Sequence, residues 1–222
     1  MSTFLFIRHG STDHVKWILS GRMTGVLLNE CGRRQVSELT SRMSQVKVDM
    51  VCSSPLERAL ETAMPIAASA KLQMMVSSEI NEIDYGRWTG RSFPELERDP
   101  QWREFNERRA FASIPGGETM LMVESRIKVF LNRMSVSAGA STIAVVTHAD
   151  IIRTALLIAS NRSLSEIHSF TVEPASVSAI EYGHTSSRVL FVNNLGELKL
   201  PEPSIELKTT ESELWTPAFT AQ

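Results

Sequence analysis

The sequence has few cysteines and no long hydrophobic run. Its two cysteines do not suggest a disulfide framework, because Cys31 lies beside a predicted helix start and Cys52 lies in a predicted buried strand. No segment approaches the roughly 20 apolar residues that span a bilayer, and the first residues lack the basic region of a signal peptide. We therefore expect a cytoplasmic protein in a reducing compartment, with no membrane partner.

A strong charge of either sign is also missing. The net charge is −2, so composition predicts neither a nucleic-acid surface nor a membrane-binding face. An anionic ligand would have to be attracted by locally placed arginines. No cluster has the spacing of metal ligands, and His14, His168 and His184 are interpreted as surface or turn residues. We expect no metal and no cofactor.

What is present is enough apolar sequence for one α/β domain. With 222 residues and 42% hydrophobic content, the chain can bury one sizeable core, but it is short for two full domains. We place the domain at 1–200, with a small helical flap inserted at about 84–116 near the active site. The tail, 201–222, is either disordered or packed through Leu214, Trp215 and Phe219, and the sequence leaves both open.

Apolar runs of strand length alternate with helix-spaced apolar residues along the domain. Strands are predicted at 4–7, 49–52, 73–76 and 142–147, and an antiparallel hairpin at 177–182 and 188–192. Helices are predicted after the N-cap Asn29, after the capping segment 53–55, from Glu118 to about Gly139, and after His148.

Two of these strands end in histidine. The apolar run 4–7 leads into Arg8-His9-Gly10, and the run 142–147 leads into His148. In open α/β sheets, ligands bind beyond the carboxyl ends of the strands, so Arg8 and His9 would form the floor of such a crevice. The alternative for Arg8 to Gly10 is a strand followed by an ordinary polar turn.

Arg58 occupies a predicted helix position that is unfavourable for a cation. It lies in the first turn of a predicted helix, where the positive end of the helix dipole disfavours a cation. This placement invites a functional explanation, although pairing with Glu57 or Glu61 is the alternative. The segment 79–90 combines three acids, glycines and aromatics, which suits a shaped loop.

Five segments in this order resemble the signature motifs of the histidine phosphatase superfamily, the phosphoglycerate-mutase-like clan. They are RHG at 8–10, SSPLERALETA at 53–63, EIDYGRWTG at 82–90, GGE at 116–118 and VTHADIIR at 146–153. The resemblance covers residues 4 to about 193. It implies a three-layer sandwich, with a mostly parallel central sheet and helices on both faces, and the activity of a histidine acid phosphatase-type phosphoric monoester hydrolase.

The resemblance also implies a role for each motif residue. His9 would be the nucleophile, Arg8, Arg58 and His148 would surround the phosphoryl group, and Glu82 would donate the proton. Elementary chemistry agrees, because arginine binds a phosphate bidentately and a neutral imidazole nitrogen can attack phosphorus to give phosphohistidine. The other ring nitrogen of the nucleophile must then donate a hydrogen bond, which we expect to reach a backbone carbonyl. For the proton donor, Glu79 and Asp84 remain competitors.

The first motif departs from the family pattern. Relatives often have an acid or amide where Ser11 stands, and a Trp-Asn pair at His14-Val15. The usual asparagine contact to phosphate is therefore in doubt, and Ser11, Thr12 or His14 is expected to replace it. With Arg22, Ser11 and Thr12 form our predicted substrate rim.

Three functions follow. The favoured one is a metal-independent phosphomonoesterase that hydrolyses a small phosphorylated metabolite through phosphohistidine. The first alternative is a cofactor-dependent phosphoglycerate mutase, and the second is an inactive phospholigand-binding module. The interval from Glu82 to His148 looks shorter than in the mutases that the chain resembles, which favours hydrolysis. The oligomeric state is not readable from the sequence.

Overall fold

The structure, a computed structural model, describes residues 1–200 of the chain. Our alternatives for the tail, 201–222, lie outside the described residues. Within the described part, no helix combines the length and the apolar character that a membrane crossing requires.

One sheet forms the centre of the described chain. Its strands are β1 (Ser2–Arg8), β2 (Met50–Ser53), β3 (Met74–Val76), β4 (Thr142–Thr147), β5 (Val177–Tyr182) and β6 (Ser187–Asn194). The spatial order is β3-β2-β4-β1-β5-β6. The pairs β3-β2, β2-β4 and β4-β1 are parallel, whereas β5 runs antiparallel to both of its neighbours. The prediction of a mostly parallel sheet is confirmed, as is the hairpin.

Helices cover both faces of this sheet. They are α1 (Glu30–Met43), α2 (Glu57–Ala70), α3 (Phe93–Leu96), α4 (Pro100–Glu107), α5 (Met120–Ala138) and α6 (Ala149–Ala159). Successive strand residues point to opposite faces. In β1, Leu5 and Ile7 pack into the cluster that contains residues of α1 and α2, whereas Phe4 and Phe6 pack into the cluster with α5 and α6. The predicted α/β class with helices on both faces is confirmed.

The start of α1 lies directly against the loop after β1. Asn29 caps the helix, as predicted, by accepting a hydrogen bond from the Gly32 amide at 2.8 Å. A Cβ atom at Gly32 would lie 2.1 Å from the Ser11 carbonyl oxygen, so only glycine permits this approach. The loop that follows His9 is thereby held against the helix.

The predicted start of α2 is wrong. We expected Ser53, Ser54 and Pro55 to begin and cap the helix, but it begins at Glu57, and its N-cap residue, Leu56, offers no side-chain hydrogen bond. The hydroxyl of Ser53 donates to the Ser54 carbonyl at 2.9 Å. Both serines are fully buried, and the Ser54 hydroxyl also contacts His148 Nε2 at 2.7 Å.

The segment predicted as a flap contains α3 and α4. From α4, Trp102 and Phe105 are buried and contact the rings of Tyr85 and Trp88. These aromatic contacts anchor α4 to the loop that follows Glu82. A role as a flap over the site stays a prediction.

Candidate active site

Sheet topology brings the two histidines together. β1 and β4 are neighbours, with Arg8 paired to Thr147, so His9 and His148 directly follow the ends of adjacent strands. Their ring centroids lie 5.2 Å apart. Arg58 reaches the same point from the start of α2, where its Nε lies 3.2 Å from His9 Nε2. Three residues from distant parts of the sequence, His9, Arg58 and His148, therefore converge.

The hydrogen bonds of His9 define one neutral tautomer. Its Nδ1 lies 2.8 Å from the Gly10 carbonyl oxygen and must donate, whereas its Nε2 accepts from Arg58. The lone pair is therefore on Nε2. Burial and the nearby guanidinium groups of Arg58 and Arg8 lower the pKa of His9 well below its ordinary value. The imidazole is thus a neutral base at physiological pH.

Three nitrogen atoms around His9 are buried without a hydrogen-bond partner in the described chain. They are Arg8 Nε, Arg58 Nη1 and His148 Nδ1. Unpaired buried donors are rare because leaving them unsatisfied is costly. Arg8 and Arg58 also line a cavity of about 170 Å³ together with His9 and Glu82. Arg8 Nε and Arg58 Nη1 are donors whatever the tautomer of His148, and such a pair of donors suits a small anion.

His148 is the N-cap residue of α6 and is fully buried. Its Nε2 lies 2.7 Å from the hydroxyl oxygen of Ser54, and its Nδ1 lies 3.9 Å from Glu82 Oε2. Burial, followed by Arg58, His9 and Arg8, lowers the pKa of His148 well below its usual value. Ser54 therefore orients this imidazole, a role that the sequence motifs did not predict.

Glu82 has a carboxyl group suited to proton transfer. Burial raises its pKa to about 7, and the negative charge of Asp150 contributes in the same direction. Glu82 Oε1 accepts from the Ile83 amide at 2.9 Å. Arg22 holds the Glu82 backbone by donating from Nε to its carbonyl oxygen at 2.8 Å. A carboxyl group with this pKa is available in both protonation states near neutral pH.

Only part of the predicted substrate rim lies at the cavity. Thr12 lines it, and His14 lies on the same wall. Ser11 and Arg22 are not among its lining residues. The backbone amide of Ser11 donates to Gln35 Oε1 at 2.9 Å, and Arg22 pairs with Glu118 at 2.9 Å. Arg22 thus supports the loop that carries Glu82 without lining the cavity.

A buried charge network joins α6 to the segment after α4. Asp150 accepts from Tyr85 Oη at 2.7 Å, from Arg109 Nη1 at 2.8 Å and from Arg153 Nη1 at 2.8 Å. Burial alone would raise the pKa of Asp150, but the two guanidinium groups and the Tyr85 hydroxyl hold it well below its ordinary range. Sequence patterns did not reveal this network, since Tyr85 and Arg109 are distant from Asp150 along the chain.

Replacing Asp150 with alanine should destabilise the fold by about 3–5 kcal/mol, because it leaves the buried Arg109 without its counter-charge. Urea unfolding followed by tryptophan fluorescence measures this change. The matched control is Glu30→Ala, which removes an exposed ion pair with Arg34 and should barely move the midpoint. An equally small shift for Asp150→Ala would show that the network contributes little to stability.

The fold and this cluster define a class, an α/β protein with two imidazoles, two arginines and a carboxyl group gathered at the carboxyl ends of parallel strands. In such a cluster the arginines are suited to bind an oxyanion, a neutral imidazole to attack it, and the carboxyl group to transfer a proton. In residues 1–200, no group of three or more His, Cys, Asp or Glu side chains is arranged to hold a metal ion.

The chain belongs to the histidine phosphatase superfamily, branch 1, whose family model matches residues 4–195. It is 31% identical over 205 residues to phosphoserine phosphatase 1 of Hydrogenobacter thermophilus, an alignment that covers 89% of this chain and 96% of that protein. It is 27% identical over 185 residues to a 2,3-bisphosphoglycerate-dependent phosphoglycerate mutase of Thermoplasma acidophilum, with 82% and 88% covered.

Solved structures show the same fold. The α-ribazole phosphatase of Shigella flexneri superposes with a TM-score of 0.79 at 24% identity, covering 90% of this chain and 100% of that one. A mycobacterial glucosyl-3-phosphoglycerate phosphatase superposes with a TM-score of 0.78 at 22% identity, covering 86% and 98%. The family predicted from the five motifs is confirmed.

Proposed function

We propose that the protein is a metal-independent phosphomonoesterase that hydrolyses a small phosphorylated metabolite through a phosphohistidine at His9. The observation that carries this proposal is the neutral, buried imidazole of His9, whose Nε2 lone pair lies beside Arg58. Phosphatases among the relatives and solved structures support it.

In the first half-reaction, Arg8 and Arg58 bind the phosphoryl oxygens with charge-assisted hydrogen bonds. His9 Nε2 attacks phosphorus and forms the P–N bond, while the ester P–O bond breaks. Glu82 gives its proton to the leaving alkoxide oxygen, and His148 stabilises the charge on the equatorial oxygens. The products are the free alcohol and phosphohistidine.

In the second half-reaction, the carboxylate of Glu82 takes a proton from water, and the water oxygen attacks phosphorus. The P–N bond breaks, its electron pair returns to His9 Nε2, and inorganic phosphate leaves. Glu82 regains the proton that it donated, so the cycle is balanced. Dividing hydrolysis into two displacements avoids one difficult step.

The direct test is hydrolysis of p-nitrophenyl phosphate in the presence of EDTA. We expect undiminished release of p-nitrophenol and phosphate, because no step uses a metal. Loss of activity on chelation, with recovery on adding a divalent metal, would contradict the metal-free mechanism. A phosphate-release assay on a panel of phosphorylated metabolites would then identify the preferred leaving group.

The mutase alternative has its own assay. The protein would be incubated with 3-phosphoglycerate and a catalytic amount of 2,3-bisphosphoglycerate. Interconversion of the phosphoglycerates with little free phosphate would favour a mutase. An inactive binding module would bind phosphate but turn over none of these compounds.

A further inference from the structure

One carboxylate in the cavity wall is shared by two arginines. Asp150 pairs with Arg109 and with Arg153, each at 2.8 Å. Arg109 is the more deeply buried partner, with 8% of its side chain exposed, whereas 23% of Arg153 is exposed. A single negative charge cannot neutralise both guanidinium groups. The excess positive charge therefore lies towards Arg153, the more accessible end.

Arg153 keeps one nitrogen free. Its Nε donates to the Phe170 carbonyl oxygen at 2.9 Å, and its Nη1 donates to Asp150 Oδ1. Among the described residues, Nη2 makes no hydrogen bond. Arg153 lines the same cavity as His9 and Glu82. Two of its three nitrogens are thus fixed by the protein, so the third is held in place at little further entropic cost.

We infer that Arg153 binds a carboxylate on the leaving group, which makes the substrate a short phosphorylated hydroxy acid or amino acid. This inference rests on the proposed function, since it assumes that a phosphoryl group occupies the cradle around His9. Arg153 then acts as a specificity-determining residue. Arginine suits this contact because charge-assisted hydrogen bonds to a carboxylate are strong and directional.

The charges of the cavity agree with a second anionic group. Among the described residues, four cationic side chains line it, namely Arg8, Lys16, Arg58 and Arg153, whereas Glu82 and Asp150 are its acids. The negative charge of Asp150 is already matched by Arg109, which does not line the cavity. A bound phosphoryl dianion would offset Arg8 and Arg58 but leave the charges of Lys16 and Arg153 unmatched. A carboxylate on the same substrate would match Arg153, which, unlike the exposed Lys16, is held in place by its hydrogen bonds to the protein.

The enclosed part of the cavity is small, and the rest of it opens to solvent. Its volume is about 170 Å³, well below the roughly 300–1,000 Å³ of pockets that bind drug-sized ligands. Ile18, Leu19 and Phe93 form apolar parts of the wall. A chain of two or three carbons between phosphate and carboxylate suits this space better than a nucleoside or a second sugar.

Two matched substrate pairs test the inference. D-3-phosphoglycerate is compared with glycerol 3-phosphate, and O-phosphoserine with O-phosphoethanolamine, because each pair differs at the carboxylate. We expect kcat/KM to favour the carboxylate in at least one pair by about ten- to a hundredfold. In Arg153→Gln this ratio should fall towards one, and Arg153→Lys should give an intermediate ratio. Arg34→Gln, at an exposed arginine of α1, should keep the original ratio.

Each outcome decides the inference. Turnover of p-nitrophenyl phosphate with no preference for the carboxylate in either pair would overturn it and leave the proposed function standing. An unchanged preference in folded Arg153→Gln would also overturn it, since recognition would lie elsewhere. Absence of turnover with every ester would overturn the proposed function and this inference together. Thermal melting identifies any variant that fails to fold. In that case the ratio of kcat/KM values within each substrate pair, measured on the unsubstituted protein, still tests the inference.

Discussion

A His9→Ala variant is expected to lose at least about four orders of magnitude in kcat, because no other group in the site can form the covalent intermediate. His148 does not replace it. The Nε2 of His148 is engaged with Ser54, and its Nδ1 faces Glu82. The loss should appear with every phosphate ester, since each of them must pass through the same phosphohistidine. Steady-state release of phosphate measures it.

Trapping the intermediate separates a nucleophile from a residue that only binds phosphate. After an alkaline quench during turnover, the original protein should gain the mass of one phosphoryl group on the peptide that contains His9. His9→Ala should gain none. His184→Ala replaces an exposed histidine and should keep both the activity and the label. A phosphoryl group found on His148 would reverse the assigned roles.

The convergence at His9 was predictable because it depends on strand ends. Two apolar runs ending in histidine, placed in a mostly parallel sheet, had to present their histidines at one edge. That β1 and β4 would be direct neighbours was not readable from the runs themselves. The family resemblance implied only that His148 lies with His9 around a phosphoryl group, and the register between Arg8 and Thr147 agrees with this placement.

The supporting contacts were harder to predict because they join side chains that are far apart in sequence. Ser54 was interpreted as a helix cap, which is the local preference of serine, but its hydroxyl contacts His148. Arg109 lies in a segment rich in charged residues, yet it is buried against Asp150. Nothing in the local sequence spacing distinguishes such residues from solvent-exposed ones. Their burial follows from the packing of α4 and α6.

A Glu82→Gln variant should lose about a hundred- to ten-thousandfold in kcat/KM with alkyl phosphate esters, because glutamine cannot protonate an alkoxide. Glutamine retains a side-chain oxygen that can accept from the Ile83 amide, so the loop should keep its position. The loss should be far smaller for p-nitrophenyl phosphate, whose leaving group departs readily without a proton. This dependence on the leaving group identifies a general acid, whereas a purely structural defect would slow both substrates alike.

The pH profile gives a second signature. Because burial raises the pKa of Glu82 to about 7, the proton needed by the leaving group is present below that pH and is lost above it. The kcat/KM of the original protein for an alkyl ester should therefore fall as the pH rises through about 7. In Glu82→Gln this alkaline limb should disappear, while ionisation of the substrate itself affects both proteins equally. Glu79→Gln is the matched control, since Glu79 pairs with Arg133. If Glu79→Gln removed the limb and Glu82→Gln kept it, Glu79 would be the proton donor.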